Sequence, residues 1–103
     1  MSGYILGRDA DQDLEELWNH VSGDSAPAAD RLIRMLFRAF LESAKFPGMG
    51  HKHGDLTPLP VRFWPVGNYL IVYRSERRPI EVVAIVHGNR DVPAFLQHRQ
   101  PRQ

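Results

Sequence analysis

The spacing of hydrophobic residues changes character along this chain, and the changes mark its elements. Leu14, Leu17, Trp18 and Val21 recur at the i, i+3, i+4, i+7 spacing of an amphipathic helix, with Glu15, Glu16, Asn19 and His20 opposite. Asp9 reads as the N-cap of this helix, Gln12 as its capping-box partner, and Gly23 as its stop. A second, longer helix restarts at Asp24 or Ser25, with Pro27 tolerated in its first turn, where a missing N–H has no helical partner. Leu32, Ile33, Leu36, Phe37, Phe40, Leu41 and Ala44 form its apolar stripe; Arg31, Arg34, Arg38 and Glu42 mark its wet side. So wide a stripe predicts contact with both a sheet and the first helix. Trp18, within the first stripe, is expected in the core. Pro47 and Gly48 end the second helix, giving an antiparallel helical hairpin.

Beyond it the helical spacing disappears. Residues 46–60 are dense in Gly and Pro and read as a crossing loop. Val61–Trp64 is then a strand, with Pro65 marking an edge or a strand end. After the turn signal Gly67-Asn68, Tyr69–Tyr73 and Ile80–Val86 are β-branched, aromatic-rich runs joined by a polar connector. The second run is apolar on both faces, Ile80, Val82, Ala84 and Val86 on one and Val83 and Ile85 on the other, so it belongs in mid-sheet. It ends abruptly in the polar His87-Gly88-Asn89-Arg90-Asp91. Tyr4–Leu6 is an opening edge strand, and Val92–Leu96 one docked helical turn. The order predicts an α+β fold, β-α-α-β-β-β: a helical hairpin on one face of a small, mainly antiparallel sheet. Residues 1–97 form one domain, and 98–103 a polar, frayed tail.

Composition narrows the classes. The chain has 103 residues, 43% hydrophobic and 24% charged, which suits a single globular domain. A net charge of +1 places any attraction to polyanions in local arginine clusters. With no cysteines there are neither disulfides nor thiolate metal sites. The N-terminus has no signal-peptide pattern, and no apolar run approaches the roughly 18–20 residues needed to span a bilayer. A cytoplasmic, non-membrane protein is expected.

Several short motifs fall in an order that resembles a known family. They are the opening strand, Asp11-Gln12-Asp13-Leu14 in the first helix and Ala28-Ala29-Asp30-Arg31 in the second. Phe46-Pro47-Gly48-Met49-Gly50-His51 is a version of a P-x-x-G-R loop. Asn68-Tyr69-Leu70-Ile71-Val72-Tyr73-Arg74 and Ile85–Asp91 complete the set. Together, from about Tyr4 to Phe95, they resemble the RelE/ParE superfamily of bacterial toxins, nearer to its ParE branch. His51 and Asn89 depart from the pattern, which usually carries arginine at both places. The resemblance implies a growth-inhibiting toxin of a type II toxin–antitoxin pair, neutralised by a cognate antitoxin, ParD-like or similar. ParE-like members act on DNA gyrase; RelE-like members cleave mRNA on the ribosome. One fold carries both activities, and a third outcome is a degenerate module that only binds its antitoxin.

The residues can be weighed against each role. RNA cleavage without a metal needs a base, an acid and cations around the phosphate. Arg62, Arg74, His87 and Arg90 are the candidates, and Arg62 and Arg74 would share one sheet face if the alternation holds. Arginines on a wet face more often solubilise it or pair with an acid such as Glu81, and that reading is preferred. His87 is read as closing the strand end by local hydrogen bonding. No catalytic residue, cofactor, metal or sequence-specific nucleic-acid contact is therefore expected. His51, His53 and Asp55 have metal-like spacing, but Lys52 intervenes and the segment is an unsupported loop. For the antitoxin, Arg31, Arg34 and Arg38 would meet acidic residues. Trp64, Tyr69, Ile71 and Tyr73, with the outer sides of Leu32, Leu36 and Phe40, would supply apolar surface, because a helical hairpin covers only one sheet face.

Overall fold

The computed structural model describes residues 3–52, 54 and 57–97. Strand β1 (Tyr4–Leu6) leads into helices α1 (Arg8–Ser22) and α2 (Ala26–Lys45). Strands β2 (Arg62–Val66), β3 (Tyr69–Arg74) and β4 (Ile80–His87) follow, then a short helix α3 (Val92–Gln97). The sheet order is β1-β4-β3-β2. The three later strands are antiparallel, and β1 lies parallel to β4 at the edge. The expected α+β arrangement is the one observed, with β4 interior.

The start of α1 differs from expectation. Gly7, not Asp9, is the N-cap, and it makes no side-chain cap bond. The Gly7 N–H is bound to the Val82 carbonyl at 2.9 Å, so the chain leaves the sheet directly into the helix and leaves Asp9 inside the first turn. Gln12 consequently reaches forward to Glu16 and forms no capping box. The α2 start follows the pattern: Ser25 Oγ accepts the Ala28 N–H at 3.2 Å, with Pro27 in the first turn.

Two residues of the helical stripes are not core. Trp18 is 39% exposed and donates its indole N–H to Asp30 at 3.3 Å, tying α1 to the first turns of α2. Leu41 is 54% exposed, because the sheet and α1 together cover a narrower arc of α2 than its sequence offers. The rest pack as expected around Leu36, Phe40, Ile71, Tyr73, Ile80, Val82 and Ile85. Tyr4 joins this core beside Phe40, and its burial pushes the phenol pKa upward.

The simple alternation along β4 is corrected by a bulge. Val72 pairs with Ala84 and Tyr73 with Val82, leaving Val83 as an extra residue. An extra residue reverses the phase of all side chains beyond it. Ile80 and Val82 therefore face the helices, whereas Ala84 and Val86 face the other side. That other side is not bare either. Val61, Phe63, Val72, Ala84 and Val86 are buried there with Val92 and Leu96 of α3. Asp91 Oδ1 caps α3 by accepting the Ala94 N–H at 3.2 Å. The expectation that one face of β3 stays open is overturned: this chain's own C-terminal segment closes it.

Past Leu6, β1 no longer lies beside β4, and α1 takes over. The buried carboxylate of Asp13 accepts the Ile85 N–H at 3.0 Å, so a helix side chain satisfies a ladder donor that no strand reaches.

Candidate functional site

The loop after α2 is held as rigidly as the sheet. The buried Tyr73 hydroxyl donates to the Pro47 carbonyl and accepts the Gly50 N–H, both at 2.9 Å. Arg62 Nη1 donates to the Gly50 carbonyl at 2.8 Å, and its Nε donates to Ser75 Oγ at 3.2 Å. At Gly50 there is no room for a side chain: a Cβ would lie 2.6 Å from the Tyr73 hydroxyl and 3.1 Å from Arg62 Cβ. The glycine of the P-x-x-G-R-like loop is thus needed for close approach. His51 then pairs with Phe63, and its ring stacks on Trp64 at 6.3 Å and 21° between planes.

This pinned loop forms one wall of a groove of about 390 Å³ between α2 and β2. Met35, Arg38, Glu42, Met49, Trp64 and Val66 are among its lining residues. Arg31, Arg34 and Arg38 are all exposed on α2, spaced three and four residues apart and so on one side of the helix. Trp64 is half-buried beside them. The surface therefore joins a polarizable apolar floor to a cationic ridge, which suits an amphipathic, acidic segment. Met35 and Met49 are contributors that sequence reasoning missed. Nothing in the local sequence distinguishes Met49 from its loop neighbours; the Tyr73 clamp places it.

The other expected partner residues fall differently. Tyr69 is half-buried, with its ring edge-on to His87 at 4.9 Å. Ile71 and Tyr73 are wholly buried under the helices, as are Leu36 and Phe40, and present no surface to a partner. The helix stripe is as deep as it is wide, and β3 lies beneath it.

Nor do the cleavage candidates converge. Arg62 is the cross-strand partner of Tyr73 and shares its face, while Arg74, one residue on, points to the opposite face. The expected shared arginine patch is not formed. Arg74 approaches Glu81 at 3.9 Å, and Glu81 is also held by Arg77 at 2.8 Å, so the pairing foreseen with Glu81 is made by Arg74 and not Arg62. His87 Nδ1 accepts the Asn89 N–H at 3.0 Å, while the His87 carbonyl accepts the Arg90 N–H at 2.9 Å. That is the local closure expected of it. The Arg90 guanidinium lies 5.0 Å over the Phe95 ring, a cation–π contact fastening α3 to the strand end. Of the metal-like residues, His53 and Asp55 lie outside the described residues, as does the tail 98–103. Among the described residues no three His, Asp or Glu side chains gather in a way that could hold a metal. No described helix is long and apolar enough to cross a membrane.

No individual curated protein matches the chain. A family model, the ParE toxin of the type II toxin-antitoxin system parDE, matches residues 4–92. That span runs from β1 through the pinned loop and the central hairpin to the first residue of α3, so the chain belongs to the ParE family of type II toxin–antitoxin toxins.

Proposed function

We propose that this chain is a cytoplasmic toxin that inhibits DNA gyrase by binding, and that a cognate antitoxin neutralises it. The observation that carries the binding reading is the engagement of its polar groups. Arg62 holds the 48–50 backbone, His87 Nδ1 holds the Asn89 amide, and Arg90 caps Phe95. A set acting on one phosphate would have to converge within hydrogen-bonding reach of it. The groove between α2 and β2, with its arginine ridge, is the proposed antitoxin surface, and its acidic partner is drawn in by charge and retained by apolar contact.

Induction of this chain alone is expected to arrest growth with DNA-damage signalling, and the purified protein to block supercoiling by gyrase. His87→Gln is expected to retain that inhibition. A general acid or base contributes about 10²–10⁴-fold. A loss of that size in a folded His87→Gln variant, together with transcripts cut at ribosomal A-site codons and untouched gyrase, would establish the ribonuclease alternative.

A further inference from the structure

The groove between α2 and β2 also gathers the oxidisable sulfur of the chain. There is no cysteine, and there are three methionines. Met1 lies outside the described residues, whereas Met35 and Met49 both line this groove. They reach it from two different walls. Met35 stands on α2 and is 48% exposed. Met49 is half-buried in the loop that Tyr73 and Arg62 hold at Gly50. Among the described residues neither packs into the core on either face of the sheet. Both thioethers are therefore open to a small oxidant, and an added oxygen on either can enter the groove without disturbing the core.

Oxidation changes what the groove can bind. A thioether is apolar and polarizable, and it packs well against apolar and aromatic side chains; the sulfoxide is polar and carries a strong acceptor oxygen. An apolar partner side chain laid over that oxygen offers it no donor and strips it of water. Glu42, the carboxylate of the groove, offers no donor either when ionised. Arg38 does, and it lies three residues from Met35 on α2 and so beside it. A guanidinium turned to a sulfoxide is lost to the acidic residues of a partner. Both the apolar floor and the cationic ridge are weakened together.

We propose that Met35 and Met49 are a modification site, oxidised by peroxide in the free toxin, and that their sulfoxides prevent capture by the antitoxin. The proposal rests on the antitoxin reading above. In each step a sulfur lone pair takes one peroxide oxygen: an S–O bond forms and the O–O bond breaks. Sulfur gives up two electrons, and the proton on the transferred oxygen leaves with the departing hydroxide as water. A bound antitoxin covers both sulfurs, so the modification falls on toxin that has already lost its partner and keeps it free. Reduction of the sulfoxides by methionine sulfoxide reductases restores capture.

The test is titration of the toxin with its cognate antitoxin before and after hydrogen peroxide, with peptide mass spectrometry locating the added oxygen. Peroxide is expected to oxidise both methionines in the free toxin and to raise Kd at least about tenfold. In the preformed complex both are expected to oxidise more slowly. The Met35→Leu, Met49→Leu double variant is expected to hold its own Kd, whatever the starting value, through the same treatment. An unchanged Kd in toxin carrying both sulfoxides overturns the proposal and leaves the antitoxin reading standing. Equal oxidation of Met35 and Met49 in free and bound toxin does the same, because the antitoxin then lies elsewhere. A loss of binding that persists in the double variant, or that accompanies loss of the melting transition of the oxidised free toxin, also overturns it. Absence of any complex before oxidation overturns both.

Discussion

Tyr73 shows how little a residue's identity says about its role until its neighbours are in place. In sequence it is one aromatic in an apolar strand, as suited to a partner surface as to the core. In the fold its ring is core and its hydroxyl bridges two backbone groups of a loop more than twenty residues away. Tyr73→Phe keeps the ring but leaves the Pro47 carbonyl and Gly50 N–H unpaired, a loss of about 1–3 kcal/mol. Gly50→Ala forces a Cβ against that hydroxyl and is expected to destabilise by about 1–3 kcal/mol through overpacking. Chemical denaturation checks both. The combined variant should lose less than the sum, because both changes act on one contact. Arg62 and Arg74 teach the same lesson: both were legible as strand arginines, but cross-strand pairing alone assigned them to opposite faces.

At the scale of the element, β4 was the most legible part of the chain and still held a surprise. Its apolar run announced an interior strand, and it is one. The bulge at Val83 has no marker in the sequence, since no Gly or Pro accompanies it, and it inverts which residues face the helices. It also coincides with the place where β1 ends and Asp13 takes over the Ile85 N–H. Asp13→Leu removes that acceptor inside the core and is expected to cost about 1–3 kcal/mol. Asp13→Asn retains an acceptor oxygen and should recover most of the loss. Exchange at the Ile85 amide gives a local readout: if Asp13→Leu leaves it as slow as before, the carboxylate is not what protects it. The capping box foreseen at Asp9 failed for a related reason, because a chain bonded to the sheet at Gly7 has no room for a separate cap.

At the scale of the whole molecule, the sheet is covered on both faces, by α1 and α2 on one and by the 57–61 segment and α3 on the other. The surface proposed for the antitoxin is accordingly a seam between α2 and β2, not a bare face. The antitoxin is therefore expected to stabilise the toxin by filling a groove of an already folded domain. At a hundredfold excess over Kd, binding to the native state alone adds about 2.7 kcal/mol. For a domain of this size, each kcal/mol raises the melting midpoint by about 4–8 °C. A midpoint unchanged under a large excess of antitoxin would show that it does not bind the folded toxin.

The sequence by itself determined the order of elements, the interior place of β4, a cap for α2 at Asp24 or Ser25, the close of α2 before Pro47 and the family. Each of these depends on residues near one another in the chain, through helical spacing, capping, proline geometry and motif order. The tertiary structure alone decided which residues are surface and which are core. Ile71 and Tyr73 moved inward, Trp18 and Leu41 outward, and the second sheet face was closed by a six-residue helix at the far end of the domain. Those outcomes depend on contacts between distant segments and on a single extra residue in one strand. A shift of one position exchanges the two faces of a sheet without changing any local preference.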